Sequence, residues 1–137
     1  MMTGIHDFVC SHDADFAAHL PDRACVQQAQ TALGVTFGPQ LREYLLEYGY
    51  LGFESVEFYG LNARQGMESD LVKQTAYLHR YYPETQNLTA LENYGEGDYI
   101  LVDGEDRVFR YSSEENRLTP EGGRLFDYIL QRFEEEL

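Results

Sequence analysis

Five carboxylates lie in two short turns within residues 93–114, a stretch that reads NYGEGDYILVDGEDRVFRYSSE. They are Glu96, Asp98, Asp103, Glu105 and Asp106. Carboxylate oxygens are ligands that Ca²⁺ prefers, so a cluster of carboxylates can form a calcium site. A suitably spaced pair of carboxyl groups can instead act as general acid and base. The same acids could instead face a positively charged partner.

The spacing argues against a calcium loop. Such a loop needs ligands at alternate positions, a glycine at the sixth position and a glutamate at the twelfth. Counted from Asp98, the sixth position is Asp103, and Gly104 follows one place late. The intervening YILV offers no ligand and alternates as a strand would. We therefore expect a turn glycine with solvated acids beside it, and no metal or cofactor.

Other catalytic patterns are also missing from the sequence. Nothing fixes a carboxylate separation of the kind that glycoside hydrolysis requires. The histidines His6, His12, His19 and His79 form no i, i+4 zinc pair. Cys25 lies in a predicted helix between small and apolar residues, which favours a buried structural role, although a Cys/His dyad that meets only in space stays open. The sequence predicts that the protein is not an enzyme.

The charge restricts the class of partner. The chain has 24 acidic and 10 basic residues, which gives a formal net charge of −14. Such a field repels phosphate backbones and anionic membranes, so the basic and aromatic RVFRY segment (107–111) is not expected to bind RNA. It attracts basic proteins and speeds their encounter. The competing interpretation is that the acidity serves solubility alone.

The N-terminal residues have no basic start followed by an apolar run, and no stretch approaches the roughly 18–20 apolar residues of a membrane span. Two cysteines, Cys10 and Cys25, are too few for a disulfide framework. These features predict a cytoplasmic protein.

The length of 137 residues predicts one domain over 1–137, with an irregular segment at 1–21. Helix signals are caps, bounding glycines and apolar stripes. They predict helices at 22–33, at 39–48, from Ser69 to the residue before Pro83, and around Leu125, Ile129 and Phe133. Alternating and β-branched segments predict strands at 53–61, 88–94, 98–103 and 107–112, followed by a polar loop with Pro120 and Gly122-Gly123. The order predicts an α+β fold, with a mostly antiparallel sheet in the second half and helices packed on it.

Tyrosine is unusually common, with 11 residues, and its placement differs along the chain. Tyr44 and Tyr48 lie on the apolar stripe of the second predicted helix, and we expect them to be buried. Tyr77, Tyr81 and Tyr82 crowd the end of the third helix, where at least one should face water. Exposed tyrosine is favoured at protein interfaces because it offers area with little conformational freedom to lose.

Two segments carry a resemblance to a known family. LGVTFGPQLREYLLEYGYLGFESVEFYGL (33–61) resembles the N-terminal core of the SUKH superfamily, whose best-known branch is the Smi/Knr cell-wall-assembly regulators. DYILVDGEDRVFRYSSEENRLTPEGGRLFDYILQRF (98–133) resembles the later hairpin, polar loop and closing helix of that family. The resemblance covers about two thirds of the chain and is weakest before residue 22 and across 62–87.

The resemblance implies an α+β fold without enzymatic activity. Most bacterial members of the superfamily are immunity proteins that bind and neutralise a cognate toxin, often a nuclease, while the cell-wall branch implies an adaptor for an endogenous protein. A small-molecule pocket lined by tyrosines or Cys25 is a third hypothesis. For the partner-facing surface we predict the five turn acids and two tyrosines, namely Glu96, Asp98, Asp103, Glu105, Asp106, Tyr81 and Tyr82.

Overall fold

A computed structural model describes residues 2–61 and 70–137. These residues contain five α-helices and one short 3₁₀ helix at Pro83–Thr85. The α-helices are α1 (Thr3–His12), α2 (Arg23–Leu33), α3 (Pro39–Tyr48), α4 (Leu71–Tyr81) and α5 (Leu125–Glu134).

Seven strands in the described residues form two antiparallel sheets. The three-stranded sheet has the order β1-β2-β3 and consists of β1 (Asp15–Phe16), β2 (Leu51–Phe53) and β3 (Val56–Phe58). The four-stranded sheet has the order β4-β5-β6-β7 and consists of β4 (Thr89–Gly95), β5 (Asp98–Val102), β6 (Arg107–Ser112) and β7 (Arg117–Arg124). The α+β class predicted from the sequence is confirmed.

The helix signals in the sequence correspond to real caps. Asp22 accepts a hydrogen bond from the Cys25 N–H at 2.8 Å, and Gly34 ends α2 in the left-handed region with φ of 67°. Pro39 is the first residue of α3, and Gly49 ends that helix. The stripe of α3 is buried as predicted, including Tyr44 and Tyr48.

Helix α4 is also close to its prediction. Asp70 caps it by accepting hydrogen bonds from two backbone N–H groups, and Pro83 follows its end. The predicted start at Ser69 lies outside the described residues. The inward face carries Leu71, Thr75 and Leu78, all of which are buried.

Two predictions about chain segments are wrong. The segment 1–21 is not irregular, because α1 buries Ile5, Phe8 and Val9 along one face and β1 pairs with β2. The predicted loop with Pro120 is instead the edge strand β7, which pairs with β6. An edge strand tolerates proline because only one of its sides needs ladder hydrogen bonds.

The predicted single strand at 53–61 is a hairpin. Phe53 pairs with Val56 across a two-residue turn at Glu54 and Ser55, and Glu54 has a φ of 53°. Its first strand also pairs with β1, so the three-stranded sheet lies within the first half of the chain and the four-stranded sheet in the second half.

The four-stranded sheet lies between α4 and α5. Paired strand residues share a face, so Glu92, Ile100 and Arg110 lie on one face and Tyr99 and Tyr111 on the other. Glu92 contacts the side chains of α5, whereas Tyr111 contacts Tyr82 at the end of α4. The two faces of this sheet therefore present different surfaces.

An aromatic cluster joins α1, the small sheet and α5. Phe8 lies 5.0 Å from Phe53 and 5.3 Å from Phe133 between ring centroids, and Phe58 lies 5.3 Å from Phe133. These distances are typical of favourable aromatic pairs. The packing fixes the N-terminal helix to the rest of the fold.

Candidate partner-binding surface

Asp103 organises the turn between β5 and β6. Its Oδ1 accepts hydrogen bonds from the Glu105 and Arg107 backbone N–H groups at 2.9 Å, and its Oδ2 accepts one from Arg107 Nε at 2.8 Å. Burial acts to raise the pKa of Asp103, but the bonds from Arg107 and Glu105 outweigh it and hold the pKa below its ordinary value. Asp103 is thus a turn residue whose charge is matched by Arg107.

Glu105, in the same turn, points into solvent. Its side chain is 68% exposed and its carboxylate lies 3.6 Å from Arg107 Nη2. An ion pair this exposed is weak and is screened by salt. Glu105 therefore remains accessible to a partner.

Asp106 corrects the predicted partner-facing set, because its side chain is only 1% exposed. Its Oδ2 and Oδ1 accept hydrogen bonds from the backbone N–H groups of Gln40 and Leu41, each at 2.9 Å. Gly38, the N-cap residue of α3, has no side chain to do this. The Asp106 carboxylate therefore caps α3 from a distant part of the chain and lies at the positive end of that helix. It is not available to a partner.

The same turn also holds the start of α5. The Asp106 carbonyl accepts a hydrogen bond from the Leu125 N–H at 3.0 Å, and Gln40 Oε1 accepts one from the Phe126 N–H at 2.9 Å. Arg124, the N-cap residue of α5, provides no side-chain cap. The N-termini of α3 and α5 are thus joined through one acidic turn, which gives that turn a structural role.

Asp98 and Glu96 lie at the other end of β5. Asp98 Oδ2 is 3.4 Å from Arg110 Nη1, and Arg110 Nη2 is 3.1 Å from Glu121 Oε1. The Arg110 guanidinium carbon also lies 4.0 Å from the centroid of the Tyr94 ring, a cation–π contact. Glu96 is exposed, has a φ of 56°, and makes no ion pair within the described residues.

An open groove of about 330 Å³ lies at this end of the sheet. Its charged lining consists of four acids and two arginines, namely Glu96, Asp98, Glu114, Glu115, Arg110 and Arg117. Because Arg110 and Arg117 already form ion pairs with Asp98, Glu121 and Glu115, the unbalanced charge of this groove comes mainly from the remaining acids.

The two acidic turns do not form one surface. They flank opposite ends of β5, whose five residues span roughly 15 Å at the usual rise of a strand. The structure therefore separates Glu96 and Asp98 from Asp103 and Glu105. A partner would have to extend along the sheet to reach both pairs.

The tyrosines at the end of α4 form a second cluster. Tyr77 is 45% exposed and Tyr81 is 57% exposed, which confirms that at least one of them faces water. The Tyr77 ring centroid lies 4.9 Å from that of Tyr81 and 6.4 Å from that of the half-buried Tyr82. The neighbouring Tyr82 and partial burial both raise the pKa of Tyr77. The cluster lies on the sheet face that carries Tyr99, opposite the face of Asp98.

One buried acid was not among the predicted site residues. Glu92 is 2% exposed, accepts a hydrogen bond from the Tyr128 hydroxyl at 2.8 Å and pairs with Arg132 Nη2 at 2.7 Å. Burial and the adjacent Glu92 raise the pKa of Tyr128. The sequence offers one weak signal for Glu92, an acid directly after the apolar Ala90 and Leu91 within a predicted strand, but its partners on α5 are tertiary contacts that the sequence does not show.

The structure gives the exposure of both cysteines and the hydrogen-bond partners of His6 and His79. Cys25 is half-buried, so the prediction of a core cysteine is wrong, and Cys10 is exposed. His6 Nδ1 hydrogen-bonds the Tyr48 hydroxyl, and His79 Nε2 donates to the Leu88 carbonyl at 2.7 Å.

Within residues 2–61 and 70–137, no group of three or more His, Cys, Asp or Glu side chains is arranged to hold a metal ion. In the same part of the chain, no helix is long and apolar enough to cross a membrane.

Comparison with known proteins identifies the family. A search of curated proteins found no match. The family model SUKH_5, described as SMI1-KNR4 cell-wall, matches residues 7–134, which run from within α1 to the end of α5. Because this match covers nearly the whole chain, the protein belongs to the SUKH family of SMI1-KNR4 proteins.

Proposed function

We propose that this protein is an immunity protein that neutralises a bacterial toxin domain by binding it in a stoichiometric complex. The family match carries the proposal, since membership supports a protein-binding role in immunity or regulation and members are generally not catalysts. Neutralising an imported toxin would require the protein to reside in the cytoplasm.

The charge narrows the class of toxin to a basic one. Four arginines, Arg107, Arg110, Arg117 and Arg132, already form ion pairs with acids of their own chain. The net charge of −14 is therefore carried largely by exposed carboxylates. Nuclease domains are basic because they bind phosphate, so an acidic inhibitor is steered to them and can cover the site. We infer that the toxin is a nuclease.

For the contact surface we retain Glu96, Asp98, Asp103 and Glu105 together with Tyr81 and Tyr82, and we omit Asp106. Glu96 and Glu105 supply most of the attraction over distance, because Asp98 and Asp103 share their charge with arginines. Tyr81 offers exposed aromatic area of the type that dominates binding energy at interfaces.

The test has two steps. The tagged protein is used to capture partners from the native host and from culture medium of competing cells, and bound proteins are identified by mass. The captured domain is then expressed in a sensitive host with and without this protein. Rescue of growth, together with a one-to-one complex by light scattering, is the expected result. A toxic partner that forms this complex but kills equally well in both hosts would contradict the proposal.

The alternative is a regulatory adaptor for an endogenous protein, and the cell-wall description of the family favours it. It predicts that the captured partner is made by the same cell and is harmless when expressed alone. Deleting the gene for this protein would then alter the activity or location of that partner without changing sensitivity to competing cells.

A further inference from the structure

A second groove lies on the opposite face of the sheet from Asp98, between α4 and the β2–β3 hairpin. It has a volume of about 320 Å³, and its lining includes Tyr77, Tyr99, Glu57, Gln74 and Asn93. The described part of the lining contains aromatic rings, hydroxyls, amides and a carboxylate, and no basic side chain of residues 2–61 or 70–137 lines it. None of these five residues belongs to the acidic turns described above.

Tyr77 and Tyr99 both line this groove, and the Tyr82 ring centroid lies 6.4 Å from that of Tyr77. Burial raises the pKa of Tyr99, and the nearby hydroxyls of Tyr77 and Tyr82 raise it further. Tyr82 is also the largest cause of the raised pKa of Tyr77. The raised pKa values keep the phenols of Tyr77 and Tyr99 protonated and neutral across the physiological range, and the two side chains offer hydroxyl oxygens and ring faces to a cation.

Glu57 supplies the charge of the groove. It is exposed in β3. The neighbouring Ser55 donates hydrogen bonds to Glu136 through its N–H and its hydroxyl. Among the ion pairs of residues 2–61 and 70–137, none includes Glu57, which lines the groove together with Tyr77 and Tyr99.

Elsewhere in the molecule, a tyrosine ring and carboxylates bind an arginine together. Arg110 lies over the Tyr94 ring at 4.0 Å while its guanidinium pairs with Asp98 and Glu121. An arginine fits this chemistry better than a lysine, because its planar guanidinium stacks on an aromatic ring and forks toward a carboxylate at the same time. The groove presents the aromatic and acidic parts of the same arrangement.

We propose that the groove lined by Tyr77, Tyr99 and Glu57 receives an arginine side chain of the partner protein. The guanidinium stacks against the tyrosines and donates hydrogen bonds to the Glu57 carboxylate. The identity of the partner as a basic protein rests on the proposed function, whereas the preference of the groove for arginine can be measured without it.

The first experiment titrates the isotope-labelled protein with the peptide acetyl-Gly-Arg-Gly-amide and follows backbone and aromatic NMR shifts. A second peptide carries citrulline, which has nearly the shape of arginine without its charge. We expect saturable shifts at Tyr77, Tyr99 and Glu57 with the arginine peptide and none with citrulline. Glu57→Gln should weaken binding roughly tenfold, as the loss of one charge-assisted contact implies.

Two control variants separate the groove from general effects. Glu54→Gln removes one exposed charge from the adjacent turn, and Tyr94→Leu removes an exposed tyrosine on the other face. Both should bind the arginine peptide as the wild type does. Absence of saturable shifts, equal shifts with citrulline, or unchanged affinity in Glu57→Gln would overturn the inference.

The outcome is separable from the proposed function. A captured toxin that binds Glu57→Gln as tightly as the wild type would remove the groove from the interface while leaving neutralisation intact. Arginine binding in the groove combined with failure of the rescue assay would keep the groove and reject the immunity role.

Discussion

The Asp106 carboxylate occupies the space that the β-carbon of any larger residue at Gly38 would need. A β-carbon built on Gly38 would lie 2.3 Å from Asp106 Oδ1 and 2.5 Å from the Asp106 carboxyl carbon. The glycine at the N-cap of α3 is therefore required by a tertiary cap and not by its own backbone angle, since its φ is −69°.

Gly38→Ala should destabilise the fold. The added methyl group must displace Asp106 from the α3 N-terminus, and overpacking of this kind typically costs about 1–3 kcal/mol. The free energy of unfolding in urea measures the effect. Gly52→Ala is the matched control, because the nearest atom to its β-carbon would be at an ordinary 3.7 Å. Equal stability of the two variants would show that Asp106 can move without cost.

Asp106→Asn should lower stability without affecting partner binding. Asparagine tolerates the φ of 65° but replaces one accepting oxygen with a donor facing a backbone N–H, and the loss of such a cap costs about 1–2 kcal/mol. Urea unfolding should show the loss, and Glu105→Gln in the same turn should show almost none. A weaker complex at unchanged stability would return Asp106 to the partner surface.

Glu92→Gln should be among the most destabilising single substitutions at the contact between β4 and α5. It removes the charge that pairs with Arg132 at 2.7 Å in a site where Glu92 is 2% exposed, and breaking a buried pair costs about 3–5 kcal/mol. Thermal unfolding followed by circular dichroism measures the loss. Glu135→Gln, which removes the more exposed partner of Arg132, provides the comparison and should cost far less.

Acid should destabilise the fold partly through Asp103. Its pKa lies below the ordinary value of 3.8, so its contribution is complete above that value and is lost as the pH falls through the lowered folded pKa. Asp103→Asn should therefore cost more stability at about pH 7 than at about pH 3, where part of the contribution has been lost. Urea unfolding at both pH values tests this. The same cost at both would mean that only the turn hydrogen bonds matter.

Reversing the charge of two exposed turn acids should weaken the partner complex without unfolding the protein. The variant Glu96→Lys with Glu105→Lys leaves the organising residues Asp103 and Asp106 intact. Its control, Asp7→Lys with Glu134→Lys, changes the net charge equally at other exposed positions. We expect a slower association rate that depends on salt for the turn variant only. Equal slowing in both variants would indicate steering by net charge alone.

The helices that could be predicted from the sequence have start signals within a few residues of their first turn. Asp22, Asp70 and Pro39 mark helix starts, and these caps act within one turn of the chain. Helix α1 has an apolar stripe but its N-cap, Met2, makes no side-chain cap hydrogen bond, so its start gave no signal. The turn at Glu54 and Ser55 likewise lacks the glycine or asparagine that usually marks a two-residue hairpin.

The site was less predictable than the fold because its key contacts are distant in sequence. Asp106 resembles any other turn acid until α3 is placed beside it, and only then does its carboxylate become a cap. Glu57 and Tyr99 come from separate sheets and meet at one groove through the packing of α4. The local sequence pattern identifies residue types that suit an interface, but it does not predict which of these residues lie together on one surface of the folded protein.

The edge strand β7 limits how a partner can attach to the sheet. Pro120 has no N–H to offer an added strand, and Gly122 and Gly123, with φ of 89° and 72°, turn the backbone away from a regular ladder. Docking by β-augmentation, in which a peptide extends a sheet through main-chain hydrogen bonds, is therefore disfavoured along this edge. A partner that docks at this edge must therefore recognise side chains, and its sequence, more than its backbone shape, will decide whether it is bound there.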